Sequence, residues 1–461
     1  MKRRTLLLSI ALLASGCSQL TMTPPLLPAS DVPSAFDHNA TVAAWPAQDW
    51  WQGFGSSELA QLEAMALQAN LDLAQADARL RQADARARQA GAALLPTVAL
   101  NANVQHFTGN NGTSTGSEGD YFAGVGASYE LDFWGKNRAG KLAADASLRA
   151  SRADRATVAL TVSAAVANGY FDLLALRERL ALARDNVKSA QTIVAVVQRR
   201  VTAGYAAASD LTQARAALSA QQATVPALLQ QELEARTALA ILLGRPPEGF
   251  TVTADNMAGI KTPAVAPGLP VELLTRRPDL VTAEANLAGA HADIAAARAA
   301  MLPDITLTAD AGLQNPALAA AVLTLENAGV TLTLGAALTQ TIFDGGRLQA
   351  RTSETEAREQ ELLAAYRAAV LAAFGDVENA LGALGNLVAQ ERALADQVTQ
   401  TEAVLRNAQR RYNAGAADML VVTDAERSLY AARDQLADIR RARLAATVTL
   451  YKALGGGWQQ D

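Results

Sequence analysis

The stretch DITLTADAGLQ, residues 304–314, alternates at every position. Ile305, Leu307, Ala309, Ala311 and Leu313 share one face of an extended chain, while Asp304, Thr306, Thr308, Asp310 and Gln314 share the other with Gly312. Three more segments repeat the period. Residues 97–107 set Val98, Leu100, Ala102 and Val104 against Asn101, Asn103 and Gln105; residues 121–133 set Tyr121, Val125, Ala127, Tyr129, Leu131 and Phe133 against Gly124, Gly126, Ser128, Glu130 and Asp132. Residues 330–342 set Val330, Leu332, Leu334, Ala336, Leu338 and Ile342 against Thr331, Thr333, Thr339 and Thr341. A strand oily on one face and polar on the other suits a half-buried soluble sheet. It equally suits a membrane barrel, whose strands run roughly 9 to 11 residues. Four strands in two distant hairpins make a poor sandwich, which favours the barrel. They are also too few to close, since membrane barrels start at about eight strands. Several chains must therefore each supply a sheet segment, and the pattern leaves two, three or more copies open. Tyr121, Tyr129 and Phe133 fall near the ends of the oily face, where interface aromatics belong, and residues 109–119 and 315–329 would be outside loops.

The hairpins sit inside two copies of one longer unit. Leu73, Leu80 and Leu95-Pro96 recur at an offset of 207 as Leu280, Leu287 and Leu302-Pro303. Beyond the strands the offset is 211: Arg199-Arg200, Ala203-Gly204 and Leu243-Gly244 recur as Arg410-Arg411, Ala414-Gly415 and Leu454-Gly455. Each unit reads helix, hairpin, very long helix, tight turn, return helix. The units cover 58–245 and 271–458, and the Pro-rich stretch 246–270 links them.

No proline interrupts residues 97–225, so a very long helix is allowed. Leu173, Leu176, Leu180, Ala183, Val187, Ala190, Val194, Val197 and Val201 step by three and four, a heptad seam. The second unit repeats it with Leu384, Leu387, Leu394, Val398, Leu405 and Tyr412, broken by Glu391 and Thr401. A helix over 137–203 is roughly 100 Å long at 1.5 Å per residue. A barrel prolonged by a helical tube needs that length. Gly204 and Gly415 cap the long helices, and the return helices restart near Asp210 and Asp418. The tips at Gly204, Tyr205, Gly415 and Ala416 read as docking points for another protein, or equally as capped turns with no further role.

The chain opens MKRRTLLLSIALLASGC, a basic start and a short apolar run, the layout of a secretory signal over residues 1–16. The run is too short to span a bilayer stably. Ser15-Gly16 before Cys17, the only cysteine, resembles a bacterial lipobox, although Ala14 stands where leucine is usual. Lipidation of Cys17, with residues 17–57 as an anchored N-terminal segment, is the expectation; a signal peptide that happens to contain a cysteine is the alternative. One lipid signal anchors weakly, so a second membrane element is needed.

A net charge of -5 without any Lys/Arg block gives no footprint for nucleic acid. His38, His106 and His291 are scattered, and no metalloprotease, nucleophile-elbow, paired-cysteine or phosphate-loop spacing occurs. No catalytic residue, metal site or cofactor is expected. Six methionines without a cluster on the polar strand face give no motif for metal export.

DWWQGF (49–54), ELAQLEAMALQANLDLAQA (58–76), LLTRRPDL (273–280), FDGGR (343–347), RRYNAG (410–415) and LYKALGGGW (450–458) closely resemble the outer-membrane channel lipoproteins of tripartite efflux systems, the OprM branch of the TolC group. The resemblance covers nearly the whole mature chain. It implies a homotrimer in a Gram-negative outer membrane, three chains building one twelve-stranded barrel continued by an α-helical periplasmic tunnel. It implies partners too: outer-membrane lipid, a periplasmic adaptor at the tips, and an inner-membrane pump of the resistance-nodulation-division class. It places a periplasmic gate in LVVTDAER, with Leu420 and Asp424 narrowing the mouth and Arg427 and Tyr412 in contacts that hold it closed. A leucine ring makes a dry constriction and a carboxylate ring favours cations. The residues alone read more simply, since Asp424 and Arg427 at i, i+3 make an ordinary surface pair. Glu130, Asp132 and Asp310 would give the lumen an acidic bias, and ordinary lumen solvation explains them as well. Trp50 and Trp51 read as packing of the N-terminal segment. The expected function is passive export of small molecules. The alternatives are a duct for protein secretion and a non-conducting periplasmic scaffold lipoprotein.

Overall fold

A computed structural model describes residues 33–36, 45–110, 115–265, 268, 270–315 and 329–459; Cys17 and the signal segment lie outside these. The chain divides into two compact units. The first takes in Arg81–Ala150 and Ala283–Tyr366, the second Ala29–Leu80, Ser151–Thr282 and Arg367–Asp461.

The first unit holds the sheet. Strands β1 (Thr97–Asn110), β2 (Thr115–Leu131), β3 (Asp304–Asn315) and β4 (Gly329–Thr339) pair antiparallel in the order β1-β2-β3-β4. The two sequence-distant hairpins are joined by β2 and β3, from Leu131 opposite Ile305 to Tyr121 opposite Asn315. This register brings the faces into line. Leu100, Val125, Ala311 and Leu332 fall in one row, and Asn101, Gly124, Gly312 and Thr331 in the next. A slip of one residue at any of the three pairings would put oil into the polar face. Among the described residues nothing covers the oily face: Leu100 is 82% and Val330 83% exposed. Among the described residues β1 and β4 each leave one edge unpaired.

The first hairpin is longer than expected, since β1 runs to Asn110 and β2 starts at Thr115 within the stretch expected as an outside loop; two other expected strand ends are shorter than alternation suggested. β4 stops at Thr339, and Gln340 instead donates to the Met301 carbonyl at 3.0 Å. β2 stops at Leu131 because Asp132 turns away, its carboxylate accepting from the Asn137 and Arg138 amides at 2.9 and 2.8 Å. That carboxylate caps α3 (Lys136–Thr202). Asp344 does the same for α7 (Arg347–Asn413), accepting from Gly346, Arg347 and Leu348 at 3.0–3.1 Å.

The second unit is helical. Helices α1 (Ser57–Ala69), α2 (Leu71–Ala92), α4 (Ala208–Leu242), α5 (Leu273–Arg276), α6 (Pro278–Ala299) and α8 (Met419–Ala453) complete the chain order, with α2, α3, α6 and α7 running through both units. The repeat shows as equal lengths: 67 residues in α3 and α7, 35 in α4 and α8, 22 in α2 and α6. In the seam of α3, Leu173, Leu180, Ala183, Ala190 and Val197 are buried. The α7 seam is only half-buried, and Glu391, which breaks it, pairs with Arg443 at 2.5 Å and Arg440 at 3.4 Å. Both α3 and α7 contain a stretch apolar and long enough to cross a membrane by composition alone; in α3 more than half of it is packed inside the protein, as a core helix requires.

Equivalent positions hold the return helices by different chemistry. Asn70 donates to the Leu242 carbonyl at 2.8 Å, and its counterpart Arg277 donates to the Ala453 carbonyl at 3.1 Å. Each joins the start of α2 or α6 to the last turn of α4 or α8. Gly244 and Gly455 follow those last turns with φ of 65° and 86°. A Cβ at Gly455 would lie 2.1 Å from the Arg276 carbonyl oxygen, and one at Gly244 2.2 Å from that of Ala69, so only glycine fits.

Trp50 stacks on Tyr451 with ring centres 5.1 Å apart, and Phe54 packs on Phe171 at 5.0 Å. The linker is strapped down and not loose. Phe250, Val252, Met257 and Val265 are buried, Arg177 donates to the Val252 and Ala254 carbonyls at 2.7 Å, and Glu58 accepts from the Thr253 and Ala254 amides. Partial burial pushes the Glu58 pKa up, but those two amides outweigh it and hold the carboxyl below its usual value.

Candidate gate and polar strand face

Both tips close the same way. Gly204 and Gly415 take left-handed φ of 77° and 69°. At the first, the Gly204 amide reaches Val201 O and the Tyr205 amide reaches Arg200 O; at the second, Gly415 reaches Tyr412 O and Ala416 reaches Arg411 O, all at 2.8–3.0 Å. This paired pattern satisfies the last helical carbonyls and turns the chain back. At the first restart, the Ala207 amide donates to Asp210, whereas Asp418 at the second makes no such side-chain bond. Tyr205 is 83% exposed.

The tips share a small apolar core. Val197, Ala214, Ala408, Met419, Val422 and Ala425 are buried in it, with Ile193, Leu211, Leu405 and Tyr412 packed alongside. Burying that side of α8 turns Leu420, Asp424 and Arg427 outward as one stripe at i, i+4, i+7. Leu420 is 47% exposed. Arg427 pairs with Asp424 at 3.0 Å.

Tyr412 is not on that stripe. Its in-chain partner is Arg200, whose guanidinium lies 4.4 Å from the ring centre and donates to the Tyr412 carbonyl at 3.4 Å. Arg200 thus ties the first tip to the second, a role its sequence position did not reveal. Deeper in α8, Glu426 is buried and accepts from the Ser189 hydroxyl at 2.8 Å. Burial raises its pKa despite that bond. About two turns further along α8, Asp434 accepts from Arg179 through two contacts of 2.7 and 3.0 Å. These ties are invisible to periodicity because their partners lie more than 200 positions apart.

The three carboxylates expected to make the polar face acidic fare differently. Asp310 sits on that face in the row of Gly126 and Thr333. Glu130 is paired with Lys136 at 2.6 Å, which also binds Asp304 at 2.8 Å. Asp132 departs furthest from the expectation, being committed to the α3 cap and to Arg138 at 3.1 Å with its side chain 8% exposed. The strand ends therefore carry mixed ion pairs, and only Asp310 among the three has no cation beside it in the described residues. No group of carboxylates, histidines or cysteines among the described residues could hold a metal ion.

A sheet with one bare oily face and one polar face, open at both edges among the described residues, each of whose hairpins is followed in the chain by a helix of 67 residues ending in a capped tip, defines the subunit of an outer-membrane duct. The sequence profile of the outer membrane efflux proteins matches residues 62–245 and again 269–456, one match per repeat, and this chain belongs to that family. It is 41% identical over 469 residues to the pyoverdine export outer membrane protein OpmQ of Pseudomonas putida, covering all of this chain and 98% of that one. It is 29% identical over 465 residues to the probable outer membrane lipoprotein SilC of Salmonella typhimurium, covering 99% of each. The solved outer-membrane channel OprN superposes with a TM-score of 0.86 at 28% identity, over 95% of this chain and 99% of that chain. The fold is the TolC-like one, and the protein is an outer-membrane efflux channel of a Gram-negative bacterium, in a family of transport proteins that work within tripartite pumps.

Proposed function

We propose that three copies close into one twelve-stranded barrel and export a small molecule delivered by a periplasmic adaptor and an inner-membrane transporter of the resistance-nodulation-division class. The observation that carries the proposal is the register, which apart from Phe122 keeps oil on one face and small or polar groups on the other through all four strands. Unpaired backbone edges cannot face lipid, so β1 must pair with β4 of another copy. Exposed Leu371, Val388 and Val404 on α7 and Leu229 and Leu233 on α4 supply apolar surface for the same contacts. A non-conducting scaffold has no use for the oily strand face.

Lipidation at Cys17 adds a second membrane attachment, supported by the likeness to a lipoprotein relative. The tips at Gly204, Tyr205, Gly415 and Ala416 dock the adaptor. Leu420 and Asp424 form the gate, and Arg427 and Tyr412 hold its closed state. Cargo of the pyoverdine type fits the likeness to a pyoverdine exporter. Single-channel recording of the purified chain in a planar bilayer, beside its native mass, tests the reading. Discrete steps from a particle of three chains are expected; a silent monomer refutes it.

A further inference from the structure

Phe122 breaks the alternation. It stands on the polar face of β2, in the row between Asn103 and Gln314, where neighbouring rows offer alanine, asparagine, glycine, threonine and aspartate. An aromatic ring on a wetted face leaves apolar surface in water unless something covers it. Here the ring lies down on the next row. A Cβ at Gly124 would meet its Cζ at 2.7 Å, and one at Gly312 would meet its Cε2 at 2.7 Å. Gly124 and Gly312 are opposite each other, and a Cβ on either would also strike the partner's Cα, at 2.6 and 2.8 Å. The pair forms a floor that no side chain could share with the ring. Phe122 is only half-buried, which leaves part of its ring open. One pleat further, roughly 7 Å along, Asn101 and Asp310 converge over a third glycine: a Cβ at Gly126 would lie 2.5 Å from both Asn101 Nδ2 and Asp310 Oδ1.

We propose that Phe122, Asn101 and Asp310, set on the floor of Gly124, Gly126 and Gly312, form a cargo subsite in the barrel lumen for planar aromatic groups that carry a positive charge or hydrogen-bond donors. The cargo's ring stacks on the open side of Phe122 while its donor or cation meets Asp310 and Asn101. The inference rests on the duct reading, because only then does this face line the path of export. It assigns a contact within the barrel, whereas the gate belongs to the helical tips.

The test is current blockade in a planar bilayer with the full-length channel, using ethidium as a planar aromatic cation and tetrabutylammonium as a non-aromatic one. Phe122→Leu is expected to shorten ethidium dwell times about 3- to 10-fold, in line with one aromatic contact, and to leave tetrabutylammonium dwell times unchanged. Phe122→Tyr keeps the ring and should keep the wild-type dwell. Asp310→Asn should shorten ethidium blockade and weaken its salt dependence. Equal ethidium dwell in wild type and Phe122→Leu, in channels of equal conductance, would overturn the subsite and leave the duct standing; the ring would then only shield the two glycines. A wild-type protein that carries no current would overturn both.

Discussion

Glu63 offers the sharpest energetic test of the helical unit. It lies on α1 with no exposed surface, and neither carboxylate oxygen has a hydrogen-bond partner of good geometry among the described residues. Burial pushes its pKa up to about 8, with Ser163 pulling weakly the other way. An acid whose folded pKa exceeds its unfolded one binds its proton more tightly when folded. Its contribution to stability is therefore fullest below about pH 4.5 and is lost as pH rises toward 8, at about 1.4 kcal/mol per pH unit. Over the whole window that is roughly 5 kcal/mol. With about 2 cal/mol/K of unfolding entropy per residue, a chain of this length gains about 1 kcal/mol/K, so the window corresponds to about 5 °C in Tm. Glu63→Gln keeps the shape and cannot ionise. Thermal melts of detergent-solubilised protein, followed by far-UV circular dichroism from pH 4 to 9, should show the variant gaining about 5 °C on the wild type as pH rises. Parallel profiles across that range would refute the buried-acid reading.

Other perturbations separate structural ties from gating ones. Arg277 bonds Asp279, Asp376 and the Ala453 carbonyl while itself buried, so Arg277→Ala should cost about 3 kcal/mol, measured as a lowered denaturation midpoint. Burial raises the Asp279 pKa but Arg277 outweighs it, holding the carboxyl below its usual value, so the lost stability should itself fade as acid protonates Asp279. Gly455→Ala forces a side chain into a left-handed turn against Arg276, and should cost at least about 2 kcal/mol by the same assay. The exposed Asp424 and Arg427 pair contributes under about 0.5 kcal/mol; Asp424→Ala with Arg427→Ala should leave Tm unchanged yet raise single-channel conductance, and equal conductance would remove the gate assignment. Arg200→Ala loses a cation-π contact of about 1 kcal/mol and should speed amide exchange at the second tip around Tyr412.

Periodicity made the frame of this protein legible. A period of two needs only local information, so the four strands could be read from residues such as Ile305, Leu307 and Leu313, and the heptad seam from Leu173 to Val201. What the pattern could not carry was competition for a side chain. Asp132 continues the alternation of β2 as a string of letters, but two free amides at the start of α3 are nearer than any lumen, and the strand ends one residue earlier. Glu130 likewise meets Lys136 around the corner. Phe122 breaks the pattern, and the glycines that receive it, Gly124 and Gly312, are 188 positions apart, so no local period can reveal it. Arg200 and Glu426 were hidden for a related reason, since their partners come from the other repeat.

The two repeats show which parts of the unit are fixed by geometry and which by chemistry. The lengths of α2 and α6, of α3 and α7, and of α4 and α8 agree to the residue, and the offset grows from 207 to 211 between α6 and α7, so the extra four residues all fall in the second hairpin and its connections. Helices that pack along a common seam must keep their length, because one added residue rotates every later side chain by about 100°. A hairpin loop in solvent has no such constraint. The joint between the start of α2 and the end of α4 is held by a neutral amide at Asn70, and its equivalent between α6 and α8 by a guanidinium at Arg277 with two carboxylates beside it. The same helix end is thus satisfied twice by unrelated side chains. The carbonyl to be satisfied and the glycine behind it are what the architecture requires, and the identity of the donor is free to diverge.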